Sequence, residues 1–320
     1  MLIRAKVDFH KPDIYGLKKQ GFTLVDMHVH TRHSDTYVKV PKLLRKAERL
    51  GIGLAITDHN TIEGVLEARG LRPGQLLIPG IEITCAERCH ILVYFYRFND
   101  LQDFYHRYVL PNKSRNPYSV TRLKTVDLLK YSKEYACLVV AAHPFSPGFA
   151  GIAKSIYRRY LPYSSLAGID AFEVLNGVQL KRHNWKALQW AEDLKKPFTG
   201  GSDAHSIFEV GKVVTYARKR SVAGFLDSIM KKQNYIIGKQ LGLVTHFPSE
   251  SRKLRRHLRY IRPTIGMRYE VTLKPAVRYH VPRIRKRLTK RLNKVRSRVN
   301  DIRAIANGGI EKIDRTFEKL

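Results

Sequence analysis

The sequence contains little cysteine and no long hydrophobic run. Only Cys85, Cys89 and Cys137 occur among its 320 residues, and an odd number of cysteines cannot pair completely within one chain. This count fits a reducing compartment rather than a disulfide framework, and Cys85 and Cys89 have no second pair that would complete a zinc knuckle. No segment approaches the ~18 uninterrupted apolar residues of a membrane span, and no signal peptide follows Met1. We therefore expect a soluble, cytoplasmic protein with ordinary buried thiols.

Acidic residues are also scarce. The 27 Asp and Glu face 59 Lys and Arg, which gives a formal net charge of +32. More than half of this excess lies in the last quarter of the chain, because residues 251–320 hold 22 Lys and Arg but only 5 Asp and Glu. Such a charge attracts polyanions, so nucleic acid, an anionic membrane surface and phosphorylated substrates are all candidate partners.

The basic segment also has a helical pattern. Apolar residues from Ile284 to Ile305 recur at steps of three and four, and residues 281–300 contain nine Lys or Arg and no acid. This spacing predicts one face of a long amphipathic helix. The helix either packs on the rest of the protein with a solvated basic back, or binds a surface or a partner.

The rest of the chain alternates between two kinds of segment. Short apolar runs occupy residues 22–28, 52–59, 76–84, 90–96, 137–144, 169–177 and 196–205, and residues 41–51, 119–135 and 182–195 have the pattern of amphipathic helices. This alternation predicts an α/β fold with a mostly parallel sheet, wound open or closed into a barrel. We divide the chain into a lead-in (1–21), a main domain (22–245) and a basic, largely helical extension (246–320).

Histidines and acids recur at the ends of these apolar runs. They are His28, His30, Asp58, His59, Glu82, His90, His143, Asp203 and His205. Strand ends gather on one face of a parallel α/β sheet, so residues far apart in sequence can meet there. Imidazole and carboxylate groups suit zinc, iron or manganese, and no set of thiolates competes. Nine candidate ligands are enough for two or three divalent ions.

Several motifs in this order resemble the PHP (polymerase and histidinol phosphatase) superfamily. They are "DMHVHTRHSD" (26–35), "AITDHNTIEG" (55–64), "PGIEIT" (79–84), "HILVYF" (90–95), "AAHP" (141–144), "FEVLNG" (172–177) and "GSDAHSIFEVG" (201–211). The resemblance covers about residues 22–216. It implies a distorted seven-stranded (β/α) barrel with a trinuclear metal site, here followed by the basic helical extension.

The resemblance also implies a set of metal ligands. Their types are all present at the matching positions, which are His28, His30, Asp35, His59, Glu82, His90, His143, Asp203 and His205. The implied first ion is held by His28, His30, Glu82 and Asp203. The second is held by Glu82, His90 and His143, with Glu82 bridging, and the third by Asp35, His59 and His205. Thr36 stands where the family usually has glycine, which affects only the local turn.

The implied activity is phosphoester hydrolysis. Our first hypothesis is that a hydroxide activated by the ions hydrolyses a phosphomonoester, with Glu82, Asp203 and His205 as the residues nearest the chemistry. The substrate is then a phosphorylated small molecule, with the basic tail as an adjunct. An alternative is a 5′ exonuclease that acts on nucleic-acid ends, with residues 251–320 binding the polyanion. A further alternative is a non-catalytic module that binds RNA or an anionic membrane.

Neighbouring polar residues have other interpretations. Asp26 and Asp58 are expected to orient ligands or shape strands rather than bind metal, and Ser202 is expected to be a turn residue. Glu173 and Asn176 face the site if "FEVLNG" ends a strand, but a purely structural role is as plausible from sequence.

Overall fold

A computed structural model describes residues 6–71, 73–114, 120–147 and 150–240, together with 281, 282, 285, 286 and 288–293. The chain divides into two units, Met1–Arg268 and Tyr269–Leu320. In the second unit the described residues are helical and exposed, and they include Leu288 and Leu292 of the predicted apolar face. The remainder of the predicted basic extension lies outside the described residues.

Ten strands form the sheet in the described part of the first unit. They are β1 (Val7–Asp8), β2 (Thr23–Val29), β3 (Gly53–Ile56), β4 (Leu77–Thr84), β5 (His90–Phe95), β6 (Cys137–Ala141), β7 (Ala171–Asn176), β8 (Phe198–Gly201), β9 (Val213–Ala217) and β10 (Tyr235–Gly238). Strands β2 to β8 coincide with the seven predicted apolar runs. Their inner residues are buried, as expected for strands covered on both faces.

The sheet has the order β1-β10-β9-β2-β3-β4-β5-β6-β7-β8. The prediction of seven strands was therefore wrong, because β9, β10 and β1 extend the sheet beyond β2. The prediction of a mostly parallel sheet also needs correction. Strands β4, β5 and β6 pair antiparallel, as do β2 with β9 and β9 with β10. The turn of only five residues between β4 and β5 allows a hairpin but not a parallel crossover.

The sheet curls so that β8 approaches β2. The segment after β8 joins the end of β2 through two backbone hydrogen bonds: Ala204 N–H donates to His28 C=O and His30 N–H donates to Ala204 C=O. Gly201 makes this approach feasible, since a Cβ at this position would lie 2.5 Å from the Cβ of His28. The α/β fold and its curled sheet agree with the predicted barrel type.

Eight helices accompany the strands in the described part of the chain. They are α1 (Ile14–Lys19), α2 (Val40–Leu50), α3 (Glu63–Gly70), α4 (Phe98–Phe104), α5 (Thr125–Ser132), α6 (Ile152–Tyr157), α7 (Lys181–Asp193) and α8 (Val222–Met230). A π-helical turn (Tyr105–Val109) and 3-10 turns (Leu110–Asn112, Tyr163–Gly168) complete the set. None of the described helices is both long and apolar enough to cross a membrane.

The helices form where the sequence has a buried apolar face. In α2, Val40, Leu43, Leu44 and Ala47 are buried at helical spacing, and Gly51 ends the helix in a left-handed conformation. Helices α2 and α7 agree with their predicted ranges. Helix α5 is shorter than predicted, because the N–H and hydroxyl of Thr121 both donate to the carbonyl of Thr84 instead of continuing a helix.

Candidate metal centre

The end of β2 supplies two histidines to the face where the strand ends meet. Side chains two apart on a strand point the same way, so the rings of His28 and His30 both enter this face, with their Nε2 atoms 3.1 Å apart. Both side chains are fully buried. The predicted convergence of His28 and His30 is therefore present in the structure.

Glu82 of β4 lies in the middle of the imidazoles and is completely buried. Its Oε1 lies 2.9 Å from Nδ1 of His90 and 3.2 Å from Nε2 of His143, while its Oε2 lies 2.8 Å from Nδ1 of His59. Oε2 also lies 3.5 Å from Nε2 of each of the two β2 histidines. His90 reaches this end of the sheet although it begins its strand, because β5 runs antiparallel to β4 and β6.

Two carboxylates close the other side. Asp203 Oδ1 lies 3.1 Å from Nε2 of His30, and Asp35 Oδ2 lies 3.0 Å from Nε2 of His205. His205 Nδ1 lies 2.7 Å from the carbonyl oxygen of Asp203. Because a carbonyl only accepts, Nδ1 carries the proton, and His205 turns Nε2 towards Asp35.

All nine predicted metal ligands thus lie in one cluster, which we call the nine-residue cluster. Within it, three groups have ligand atoms within 4.8 Å of one another: His28, His30 and Asp203; His59, Glu82 and His90; and His30, Asp35, His59 and His205. These groups differ from the predicted sets, because His59 also joins Glu82 and His90, and His30 also joins Asp35. His143 belongs to none of the three groups, but its Nε2 lies 3.2 Å from Oε1 of Glu82 and its ring lies against those of His28 and His90.

Burial and neighbouring charges shift the pKa values of several residues in the cluster. Burial disfavours the charged form of Glu82, but His59, His90 and His28 outweigh it and hold the pKa of this carboxyl well below its ordinary value. Burial likewise disfavours the imidazolium of His59, yet the charges of Glu82 and Asp35 raise its pKa to about 10. By contrast, burial lowers the pKa of His30 to about 3. The ionised carboxylate of Glu82 therefore lies against the cationic imidazole of His59 and the neutral imidazole of His30.

The donor atoms fit divalent cations. Nδ1 of His59 and Oε2 of Glu82 are buried and close to each other, yet their orientation does not form a hydrogen bond. Nδ1 of His30 and Nδ1 of His143 are also buried without a hydrogen-bond partner. Buried polar atoms are normally satisfied, and a bound ion would satisfy Nδ1 of His59 and Oε2 of Glu82. His30 and His143 turn Nε2, not Nδ1, towards the cluster. The donors are imidazoles and carboxylates, the types that zinc, iron and manganese accept. The three cysteines are buried or half-buried free thiols, as expected, and none belongs to these groups.

Two buried acids shape the loops that carry the ligands. Asp26 accepts hydrogen bonds from the N–H and hydroxyl of Ser202 and from the N–H of Gly211, which ties β2 to the segment after β8. Burial raises its pKa to about 6, although these hydrogen bonds oppose the shift. Asp58 accepts from the N–H and hydroxyl of Thr31. Both acids stabilise backbone, in agreement with the expectation from sequence.

Sequence reasoning overlooked Glu209. This buried carboxylate accepts hydrogen bonds from the backbone N–H groups of His205 and Ser206, at 2.7 and 2.8 Å. An acid four residues after a ligand histidine, inside a turn, was the available signal. Glu173 and Asn176, whose role sequence left open, do face the cluster: Glu173 Oε1 lies 2.9 Å from Nδ1 of His28.

Comparison with protein families gives two matches. The PHP domain family matches residues 26–172, and the PHP-associated family matches residues 181–234. Among curated proteins, an uncharacterized protein of Methanocaldococcus jannaschii is 25% identical over 177 residues, covering 49% of this chain and 89% of that protein.

Solved structures of the same fold include PsfC from Pseudomonas syringae, with a TM-score of 0.51 at 18% identity, covering 74% of this chain and 98% of that one. Endonuclease Q, in complex with a 27-mer duplex that has an abasic lesion at the active site, has a TM-score of 0.53 at 14% identity and covers 73% of this chain and 72% of its own. Endonuclease Q from Pyrococcus furiosus has a TM-score of 0.52 at 17% identity and covers 67% of this chain and 57% of its own. At these identities the similarity concerns the fold.

Proposed function

This chain belongs to the PHP superfamily, and from that membership we propose that it is a phosphoester hydrolase that works with divalent metal ions held by the nine-residue cluster. The observation that carries the proposal is the environment of Glu82. A completely buried carboxylate has five imidazoles around it, and one of its oxygens lacks a hydrogen bond. Such an arrangement is costly for a merely structural core and is expected of a bridging metal ligand.

The sets implied by the resemblance, rather than the three geometric groups, supply our assignment of ligands. His28, His30, Glu82 and Asp203 would hold one ion, Glu82, His90 and His143 a second, and Asp35, His59 and His205 a third. Bound divalent ions supply charge neutralisation for the phosphate oxygens and a water of lowered pKa. Manganese, zinc and iron all suit these donors, and we expect two or three ions per chain.

The chain's own residues then orient and protect the reaction. Glu82 keeps its negative charge because imidazoles lower its pKa, so it stays available as a bridge at neutral pH. The Nδ1–H group of His205 donates a hydrogen bond to the carbonyl of Asp203, and this bond fixes the ring beside the carboxylate of Asp35. We propose that Asp203 and His205 orient the attacking water and assist proton transfer to the leaving group. Burial of the cluster limits competing water.

For the substrate we favour a phosphomonoester on a phosphorylated small molecule. Two or three ions in one cluster would suit a terminal phosphate, whose charge is greater than that of an internal diester. We propose residues 22–245 as the main domain for this reaction, preceded by a lead-in (1–21) whose strand β1 pairs with β10, and followed by the extension 246–320.

One observation favours a second candidate, a nuclease that acts on nucleic-acid ends. Residues 251–320 hold 22 Lys and Arg against 5 Asp and Glu, and phosphate contacts by such residues supply salt-dependent affinity. Endonuclease Q, whose structure contains a 27-mer duplex substrate with an abasic lesion at the active site, also has this fold. A non-catalytic module for RNA or anionic membrane remains the outcome if no hydrolysis occurs.

A substrate panel on metal-replete protein tests the proposal. We expect release of phosphate from p-nitrophenyl phosphate with added Mn²⁺, and loss of that release in His28→Ala and Glu82→Ala. Full-length protein and protein truncated after residue 250 are compared on the same panel and on labelled oligonucleotides. Digestion of oligonucleotides by the full-length chain alone would favour the nuclease. Binding to RNA or to phosphatidylserine vesicles with no hydrolysis of any ester would refute an enzymatic role.

A further inference from the structure

Glu173 and Asn176 lie on β7 and touch three residues of the nine-residue cluster without belonging to it. Residues three apart on a regular strand point to opposite faces. Here the register of β7 against β8 shifts between Glu173 and Leu175, so β7 contains an extra residue that turns both side chains to the same side. Both side chains are buried.

Each polar atom of the Glu173 and Asn176 side chains takes part in a hydrogen bond. Glu173 accepts from Nδ1 of His28 at 2.9 Å, from the backbone N–H of His143 at 2.8 Å and from Nδ2 of Asn176 at 2.9 Å. Nδ2 of Asn176 also donates to Oδ2 of Asp203 at 3.2 Å. The N–H of Val178 donates to Oδ1 of Asn176, and this bond fixes which end of the amide faces the carboxylates.

Two of the residues held in this way have unusual backbone. His143 has φ of 26° and Asp203 has φ of 53°, in the left-handed region that side chains other than glycine rarely adopt. Such conformations persist only where surrounding contacts hold them, and they concentrate at functional sites. Glu173 binds the N–H of the first residue, and Asn176 binds the side chain of the second.

We propose that Glu173 and Asn176 are positioning residues that direct Nε2 of His28 into the cluster and hold His143 and Asp203 in their left-handed conformations, so that ion binding depends on them. The inference rests on the proposed metal centre. Because a carboxylate only accepts, Glu173 keeps the proton of His28 on Nδ1 and leaves Nε2 for an ion. Partners of this kind typically change metal affinity by about 10- to 100-fold.

Glu173→Gln is the sharpest test, because it preserves size but replaces one accepting oxygen with a donor. If the remaining oxygen serves His143 and Asn176, the new amide N–H faces Nδ1 of His28 and favours the wrong tautomer. We expect Mn²⁺ affinity by calorimetry to fall by about 10- to 100-fold. In zinc-loaded, histidine-labelled protein, ¹⁵N NMR should place the His28 proton on Nδ1 in the wild type only. Unchanged affinity and an unchanged tautomer would overturn the proposal.

Asp170→Asn is the matched control. Asp170 precedes the same strand and accepts from the backbone N–H of Val139 at 2.8 Å, a bond that an asparagine oxygen can keep. This variant should bind Mn²⁺ as the wild type does. If Glu173→Gln does not fold, Asn176→Ala should still lower Mn²⁺ affinity, because it removes the donor to Asp203 and Glu173 together with the acceptor of the Val178 N–H. Wild-type affinity in that variant would count against the pair.

A second measurement separates this inference from the proposed function. If the wild type takes up no ion, the metal centre is wrong, and the positioning role is judged on ion-free protein. There, Glu173→Ala should speed hydrogen exchange in the peptide around His143, because that N–H loses its buried acceptor. An exchange rate equal to that of the wild type would overturn the positioning role as well.

Discussion

Replacing Glu82 with glutamine removes the carboxylate that lies against five imidazoles. In ion-free protein, the charges of Glu82 and Asp35 overcome burial and raise the pKa of His59 from 6.5 to about 10. At 1.36 kcal/mol per pKa unit this pairing stabilises the folded state by at most about 5 kcal/mol. Because the folded pKa is raised, the stabilisation is complete below pH ~6.5 and is lost as the pH rises through ~10.

We therefore expect Glu82→Gln to lower the free energy of unfolding of ion-free protein by about 3–5 kcal/mol at pH 6.5, since an imidazolium loses its buried partner. Urea denaturation in EDTA measures this loss, and repeating it near pH 10 should show a smaller difference between variant and wild type. The variant should also lose ion uptake in the presence of Mn²⁺.

Glu67→Gln is the control for that experiment. Glu67 is partly exposed and pairs with His33 and Arg32 outside the cluster, so its loss should cost at most about 1 kcal/mol. If Glu82→Gln is no more destabilising than Glu67→Gln in EDTA, and retains its ions in Mn²⁺, the role assigned to Glu82 is wrong.

Three further outcomes follow from the packing. Tyr94→Phe should cost about 1–3 kcal/mol in urea denaturation, because the buried carbonyl of Met27 loses its hydrogen bond from the phenol, while ion content stays unchanged; a loss of ions would contradict this. Gly201→Ala should lower both the melting temperature and Mn²⁺ affinity, since its methyl group meets His28, whereas Gly70→Ala, which meets nothing within 4 Å, should lower neither. Chelation with EDTA should lower the melting temperature, and Mn²⁺ at about 100 times its Kd should restore about 2.7 kcal/mol; a melting temperature indifferent to both would argue against structural ions.

The seven strands β2 to β8 were predictable because each is a short apolar run between polar segments. Strands β9 (Val213–Ala217) and β10 (Tyr235–Gly238) were missed, since their pairing depends on tertiary contacts that the local sequence does not show. The direction of β5 was also missed, although the five-residue connection before His90 is too short for a parallel crossover.

The position of the candidate site was predictable for a related reason. Its histidines and acids stand at strand ends, and the fold brings strand ends together. The distribution of ligands among ions was not predictable, because it depends on side-chain orientation. His59 points Nδ1 at Glu82 and Nε2 towards Asp35, and so joins two groups. The role of Glu173 was beyond sequence reasoning because it needs the extra residue in β7, which only the pairing with β8 reveals.

The most direct test of the metal centre is elemental analysis of the purified wild-type chain, before and after incubation with Mn²⁺, Zn²⁺ or Fe²⁺ and removal of excess ion. We expect two or three ions per chain, removable by EDTA and restored on addition. A chain that contains no ion and takes up none of the three would contradict the assignment of the nine-residue cluster as a metal centre.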